Sequence, residues 1–545
     1  MEERIQTRIL SFGQRQASGV RAVRLLSIVL APILSGALLV FPFPRYDISW
    51  LVWLGLVPLL MAISGRSTRA GFYSSYVCGI VFFTGVFSWA FAIPGYKFIH
   101  QGILAFYAAF YFCFFGLIFS YIAKRSGVTY AHLAAPFIWV GLEYVRCNFA
   151  FLALPWPLLA HSQYQHPQII QFATVTGAYG VSFLIVLVNS ALSVILLSLV
   201  CRQKNNGFAQ NQFISNTGRN AVVGFAVLLT AFALFYGDAA LKRPLLEKSI
   251  KLSVLQGNID QEKKRNPRKH AGSIMQRYVE LTQKASRDRP DLIVWPEAAT
   301  PGLVLKHVGL YRQLRTLIRD VGTYFLVGSS EFPKFDKTLQ KLRKAGNTAL
   351  FLSPEGKVLG QHLKIRLLPF GEYIPYEDTF PWPNSIVPNQ NQNWEIPGRE
   401  YTLFELDAAR FGVIICWENA FPGLFRQFVK DGANLMINIT NEGWFGETAA
   451  PYQFLAMCVF RSVENRISMA RAANTGISCF IDPYGRVTDR VWNNNKDIYV
   501  SGYLTREIKL SEEKTFYTMY GDVFAYLSIL ITVTALGLSF RKTKK

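Results

Sequence analysis

No Cys-x-x-Cys pair and no His-x-x-x-His pair occurs in the 545 residues, so these two ligand spacings of a metal site are missing. The seven histidines are scattered, and neither a metal nor another cofactor is expected. Cysteine forms no framework either. Its number, seven, is odd, and Cys78, Cys113, Cys147 and Cys201 lie in or at the ends of long apolar runs, so no structural disulfide is implied. Acidic residues are scarce outside one block. Residues 250–520 hold 28 of the 35 Asp+Glu and 35 of the 57 Lys+Arg, which leaves 7 acidic and 22 basic residues for the rest. A net charge of +22 alone would admit a nucleic-acid binder. Most of the excess, however, sits beside apolar runs, and nucleic acid is excluded as a partner. With 51% hydrophobic and 14% aromatic residues and a mean hydropathy of +0.21, disorder is excluded too.

What is abundant is apolar sequence of bilayer length, about 20 residues a run. Such runs fall at 23–43, 48–64, 71–94, 101–123, 129–147, 177–201, 221–241 and 522–540. The second is short and interrupted by Pro58, so the first two either span or dip in and out. No small-residue cleavage site ends the first run, which argues against a signal peptide. Arg4, Arg8, Arg15, Arg21, Arg24, Arg66, Arg69, Lys124, Arg125, Arg202, Lys204, Arg219, Arg541, Lys542, Lys544 and Lys545 lie at one set of ends. The intervening short loops on the opposite side offer only Arg45, Lys97 and Arg146. The positive-inside rule then puts both termini in the cytoplasm. About eight spans are expected, with an N-terminal bundle over 1–242, an extracytoplasmic domain over 243–521, and a final helix with a basic tail over 522–545.

The 243–521 block reads as an α/β domain. Apolar, β-branched runs of strand length fall at 252–255, 292–295, 325–327, 349–352, 411–415, 435–439 and 477–481, separated by amphipathic stretches such as 268–286 and 451–471. This alternation predicts a buried sheet covered by helices. The polar, Asn/Gln-rich stretch 203–220 reads as a cytoplasmic loop.

Three polar segments stand where strands end: Asp291-Leu-Ile-Val-Trp-Pro-Glu297; Gly360-Gln-His-Leu-Lys364 followed by Leu368-Pro-Phe-Gly-Glu372-Tyr-Ile-Pro375; and Phe411-Gly-Val-Ile-Ile-Cys416-Trp-Glu418. Singly, these are a cap, a surface charge and a small core residue. Together, in this order, they resemble the Glu–Lys–Cys triad of the nitrilase, or carbon–nitrogen hydrolase, superfamily. Asn441-Glu-Gly-Trp-Phe-Gly446 and Arg471-Ala-Ala-Asn-Thr-Gly-Ile-Ser478 extend the likeness. In the apolar half, Gly141-Leu-Glu-Tyr-Val-Arg146, Leu154-Pro-Trp-Pro157 and Gly177-Ala-Tyr-Gly-Val-Ser-Phe183 are similar to segments of the bacterial apolipoprotein N-acyltransferases, which the whole chain resembles.

The resemblance implies a nitrilase-like αββα sandwich on a transmembrane bundle in the bacterial inner membrane, with the domain periplasmic. It implies acyl transfer from a phospholipid donor to the α-amino group of a diacylglyceryl-modified apolipoprotein. Cys416 would be the nucleophile, Glu297 the general base, and Lys364 the cation beside the oxyanion, with a backbone N–H near Trp417 as second donor. Glu372 and Glu418 would orient the Lys or the incoming ammonium, or be structural. Trp417 stands where the family commonly has Tyr, and Arg265 where an aromatic is expected; as a cation, Arg265 would meet lipid phosphate. The charge-free stretch 149–176 and the loop 375–388, with Phe380 and Trp382, are expected to form an apolar rim or lid. Glu143 and Arg146, three apart on a helix, are expected to pair. Membrane lipids are expected partners and the chain is expected to be a monomer. Two alternatives stay open: a membrane-anchored nitrilase-type amidase that uses water as acceptor, and a non-enzymatic transport or binding protein.

Overall fold

The computed structural model describes residues 29–203, 215–244, 247–332, 345–383 and 395–541. The five arginines before the first apolar run, the start of that run, Lys204 with most of its loop, residues 384–388 of the expected lid, and the terminal Lys542, Lys544 and Lys545 lie outside the described residues.

Helices occupy the eight apolar runs: α1 Val29–Val40 and α2 Ser49–Ile63, then α3 Thr68–Val86, α4 Phe98–Ser126, α5 Val128–Asn148, α6 Ala178–Gln203, α7 Asn216–Leu241 and the C-terminal helix Val523–Arg541. Among the described residues, length and composition suffice for a bilayer crossing in four of them: α4, α6, α7 and the C-terminal helix. The first two are shorter apolar helices. The third run becomes α3 and then a 3-10 turn, Ser88–Ala92, and α5 carries the buried polar groups His132, Glu143 and Arg146. Helices α3 and α4 approach closely through small residues, since a Cβ on Gly71 would lie 2.6 Å from the Gly116 carbonyl, the kind of contact that holds helices together in lipid. Phe98, Phe106, Leu228, Phe235, Leu530 and Phe540 are exposed on the helices, Phe235 at 75%. Such a belt is stable only against an apolar surrounding.

The second half is built on two six-stranded mixed sheets. The strands are β1 Ser249–Gln256, β2 Leu292–Val294, β3 Tyr324–Glu331, β4 Gly346–Leu352, β5 Val358–Leu363, β6 Leu403–Leu406, β7 Ala409–Ile415, β8 Leu435–Thr440, β9 Met469–Ala473, β10 Cys479–Ile481, β11 Val487–Arg490 and β12 Gly502–Lys509. Their orders are β12-β1-β2-β3-β4-β5 and β11-β10-β9-β8-β7-β6. Parallel pairing at each centre, Leu252 opposite Leu292 and Ile415 opposite Ile439, brings the C-terminal ends of β1 and β2, and of β7 and β8, to common edges.

Leu252, Val254, Leu292 and Val294 of the first sheet face Val413, Ile415, Ile437 and Ile439 of the second. The other face of the first sheet packs Ile293, Trp295 and Phe325 against helices α8 Pro267–Ser286 and α9 Val308–Val321. The other face of the second packs Ile414, Met436 and Met469 against α10 Pro422–Lys430 and α11 Ala450–Asn465. This is the expected αββα layering. The stretch 451–471 is not one helix, however: α11 stops at Asn465, Arg466 takes φ +52°, and β9 follows.

Helix α11 lies between the second sheet and the bundle, and its residues share one core with Phe87 and Trp156. Gln453 is the polar bolt of this junction. Its Oε1 accepts from Trp156 Nε1 at 2.7 Å and Trp89 Nε1 at 3.1 Å, and its Nε2 donates to the carbonyls of Pro44 and Val86 at 3.1 and 3.2 Å. The expected Glu143–Arg146 pairing is corrected. No ion pair joins them among the described residues; Arg146 donates to the carbonyls of Leu154, Trp156 and Pro157, and Glu143 accepts from Leu159 N at 3.1 Å. Each charge meets the backbone of the turn that follows α5 before it reaches the other.

Candidate active site

Glu297 follows β2, Lys364 follows β5 and Cys416 follows β7, so two residues come from one sheet and the third from the sheet facing it. Cys416 has φ +58° at the step from β7 into the 3-10 turn Cys416–Ala420. A left-handed non-glycine residue costs about 1–3 kcal/mol, and here the bend turns the thiol out of the strand line. Ala298, next to Glu297, is also left-handed at φ +46°.

Lys364 Nζ sits 2.5 Å from Glu372 Oε1 and 3.7 Å from Glu297 Oε1, fully buried. Glu372 is fixed in turn by Leu368 N, which donates to its Oε2 at 2.7 Å. Glu297 accepts from Asn347 Nδ2 at 2.5 Å and from Asn441 N at 2.6 Å. Behind it, Lys264 Nζ donates to the backbone carbonyls of Glu297 and Ala298 at 3.2 and 3.0 Å.

These positions set the protonation states. Burial alone would push the Lys364 ammonium down, but Glu372, Cys416 and Glu297 outweigh it and hold it well above its ordinary value. Burial raises the Glu297 carboxyl against the pull of Lys364. The Cys416 thiol is raised well above its usual range by burial and then by Glu297, against Lys364. The resting thiol therefore keeps its proton until a base removes it, and the neighbouring carboxylate of raised basicity is suited to that transfer.

Glu418 behaves differently from Glu372. Its Oε1 accepts from Ile365 N at 2.7 Å and Arg366 N at 2.8 Å, and its Oε2 from Ile415 N at 2.7 Å. It thus ties the residues after Lys364 to the residue before Cys416, while burial pushes its carboxyl up to about 7. Trp417 Nε1 reinforces the link by donating to Arg366 O at 2.7 Å. Arg265 lies over the Trp444 ring, 5.0 Å from its centroid.

A cavity of about 270 Å³ adjoins the site, lined in part by Phe151 and Ala153 of the bundle and by Arg366, Tyr373, Glu395, Trp417 and Phe421. Phe151 packs edge-on to Tyr376 at 5.3 Å; Phe380 and Trp382 pack together at 4.7 Å. From the two aromatic stretches expected to form a rim, one ring contact, Phe151 on Tyr376, joins the bundle to the domain.

Sequence reasoning did not single out Asn347, Lys264 or Glu395. It quoted the segments holding Asn441, Glu442 and Arg471 without giving those residues a task. Glu442 and Arg471 form a fully buried ion pair under the Asn441 turn that donates to Glu297.

Comparison with known proteins agrees with this architecture. Residues 35–191 match the apolipoprotein N-acyltransferase N-terminal domain family, and residues 251–514 match the carbon-nitrogen hydrolase family. An apolipoprotein N-acyltransferase of Geobacter metallireducens is 34% identical over 94% of this chain and 95% of its own length. That of Chlorobaculum tepidum is 29% identical over 94% and 96%, and that of Thermotoga maritima 28% identical over 93% and 93%. The chain belongs to the apolipoprotein N-acyltransferase family.

Proposed function

We propose that this chain moves an acyl group from a phospholipid to the α-amino group of the lipid-modified N-terminal cysteine of apolipoproteins, by a ping-pong reaction through a Cys416 thioester. Glu297 takes the thiol proton as the sulfur attacks the ester carbonyl. Lys364, held by Glu372, faces the charge that builds on the carbonyl oxygen, a contribution for which the loss of one donor typically costs about 10²–10³ in rate. Glu297 then gives its proton to the departing lysophospholipid. In the second half the amine attacks the thioester, and Glu297 takes a proton from the amine nitrogen and passes it to the Cys416 sulfur as it leaves. Trp417 walls the acyl pocket, and Glu418 keeps the nucleophile turn in register with the lysine.

The observation that carries this reading is the grouping of Lys364 with Glu297 and Glu372 at 3.7 and 2.5 Å, in the field of the Cys416 thiol, beside a cavity walled partly by the bundle. A phospholipid ester lies at a bilayer interface, so an acyl donor would reach the thiol from the bundle side. In this account the eight helices cross the inner membrane, both termini are cytoplasmic, residues 243–521 are periplasmic, and the chain works as a monomer.

The test is a product balance. Purified full-length protein receives a phospholipid with a labelled acyl chain and a diacylglyceryl-cysteine peptide. N-acylated peptide and lysophospholipid are expected in equal amounts. Labelled free fatty acid without acylated peptide would replace the transferase by a hydrolase.

A further inference from the structure

The second half-reaction releases a proton that the triad cannot absorb. An α-amino group with a pKa of about 7.7–8.0 arrives mostly as an ammonium near pH 7. It must lose one proton to become a nucleophile, and a second as the tetrahedral adduct becomes an amide. Glu297 relays the second to the Cys416 sulfur, so the thiol is regenerated. The first proton needs another acceptor.

A group fit for it lines the cavity. Glu395 shares the wall with Arg366, Tyr373, Trp417 and Phe421, and its backbone N donates to Glu372 O at 3.1 Å. Glu395 is half-buried, and its Oε2 is buried with no hydrogen-bond partner among the described residues, a costly state for a carboxylate that a small side-chain rotation toward a donor in the cavity would relieve. Lys364, which follows β5, is bonded to Glu372 at 2.5 Å and acts on Glu395 through its charge, with no ion pair between the two among the described residues.

Resting on the acyltransferase reading, we propose that Glu395 is the docking site for the acceptor's α-ammonium and the base that takes its first proton. The step balances: R–NH₃⁺ and the Glu395 carboxylate give R–NH₂ and the carboxylic acid, and the amine nitrogen then bonds to the thioester carbon as the C–S bond breaks. Glu395 returns the proton to solvent before the next cycle. The groups around it suit the task. Burial and then Glu372 raise its carboxyl to about 7, while Lys364 lowers it and Glu297 raises it further; Arg366 and Tyr373 share its cavity wall.

The experiment separates the two halves. Full-length wild type, Glu395→Gln and Glu395→Asp are loaded with phospholipid, and the acyl adduct is quantified by intact mass, which also reports folding. Discharge to the diacylglyceryl-cysteine peptide is then timed from pH 6.5 to 9, and again with methoxyamine, which is uncharged at pH 7. About a tenth of the peptide amine is uncharged at pH 7. Discharge of the Gln variant should therefore be about tenfold slower there, with the deficit below about twofold by pH 9. The deficit should vanish with methoxyamine, and the Asp variant should recover most of the pH 7 rate. A deficit equal at every pH and for both nucleophiles, or none at all, would overturn the proposal. No adduct in wild type would remove the acyl-enzyme reading beneath it and the proposal with it.

Discussion

Glu418 offers the sharpest mechanical test. It ties the residues after Lys364 to the end of β7 through three backbone N–H bonds of 2.7, 2.8 and 2.7 Å, the first two part-buried and the one from Ile415 buried. In Glu418→Ala all three donors lose their partner. At about 1–3 kcal/mol for an orphaned buried group, Ile415 N carries the full penalty and the two part-buried amides add less, which is a large share of the stability of about 5–15 kcal/mol typical of a domain. Glu418→Gln is milder. Its carbonyl oxygen keeps Ile365 and Arg366, but its NH₂ meets the Ile415 N–H donor to donor, a loss of about 1–3 kcal/mol. At about 2–4 °C per kcal/mol for a domain of this size, the melting midpoint of the solubilised protein should fall by about 2–12 °C. Because the bond sets the spacing of the two strand ends, adduct formation on Cys416 should slow as well, by about 10² for a shift near 1 Å. The assays are thermal unfolding and single-turnover loading with phospholipid. An Ala variant that melts within about 1 °C of wild type and loads at the same rate would refute the reasoning.

Three further outcomes follow from the same geometry. Gln453→Leu leaves two indole N–H groups and the carbonyls of Pro44 and Val86 unpaired; limited proteolysis should cut the variant near the bundle–domain junction faster than wild type, and an unchanged pattern would contradict the bolt. Asn347→Ala removes the 2.5 Å donor to Glu297, which should slow Cys416 loading at least about tenfold, since a positioned base typically supplies about 10²–10⁴; an unchanged loading rate would count against Glu297 as the base. Glu331 accepts from Leu305 N at 3.1 Å and Ser329 Oγ at 2.8 Å, and burial raises its carboxyl to about 7 from 4.5. The folded state thus binds a proton that the unfolded chain releases, so this contribution is full below about pH 4.5 and is lost as pH rises through 7. Glu331→Gln should flatten the fall of the melting midpoint between pH 5 and 7.5, and an unchanged slope would refute the assignment.

The central strands β1, β2, β3, β4, β7 and β8 were legible because they are buried on both faces and read as uninterrupted apolar runs. The half-exposed β5, β11 and β12 carry too many polar residues to stand out, and β9, Met469–Ala473, is alanine-rich and reads as more of the preceding helix. No Gly or Pro marks the helix end at Asn465; only the left-handed backbone of Arg466 does. Glu297, Lys364 and Cys416 stood out because a polar residue at a strand end interrupts an apolar pattern, and the fold brings the three strand ends together. Glu372 and Glu418 looked alike as carboxylates near a lysine, and only their partners separate them: an ammonium for one, three amides for the other. Asn347 and Glu395 had no sequence signal, because each acts through a contact made by chain segments far apart. The same holds for Gln453, an ordinary polar residue in an amphipathic stretch until the bundle closes over it.

The account turns on an acyl group carried by one sulfur. Wild-type protein and Cys416→Ala should be incubated with phospholipid alone, measured by intact mass, and mapped by peptide digestion. One added acyl chain on the peptide that holds Cys416, lost on treatment with hydroxylamine and absent from the Ala variant, is the predicted result. An acylated wild type whose label maps elsewhere, or a Cys416→Ala protein that still transfers the acyl chain to the peptide amine, would contradict it.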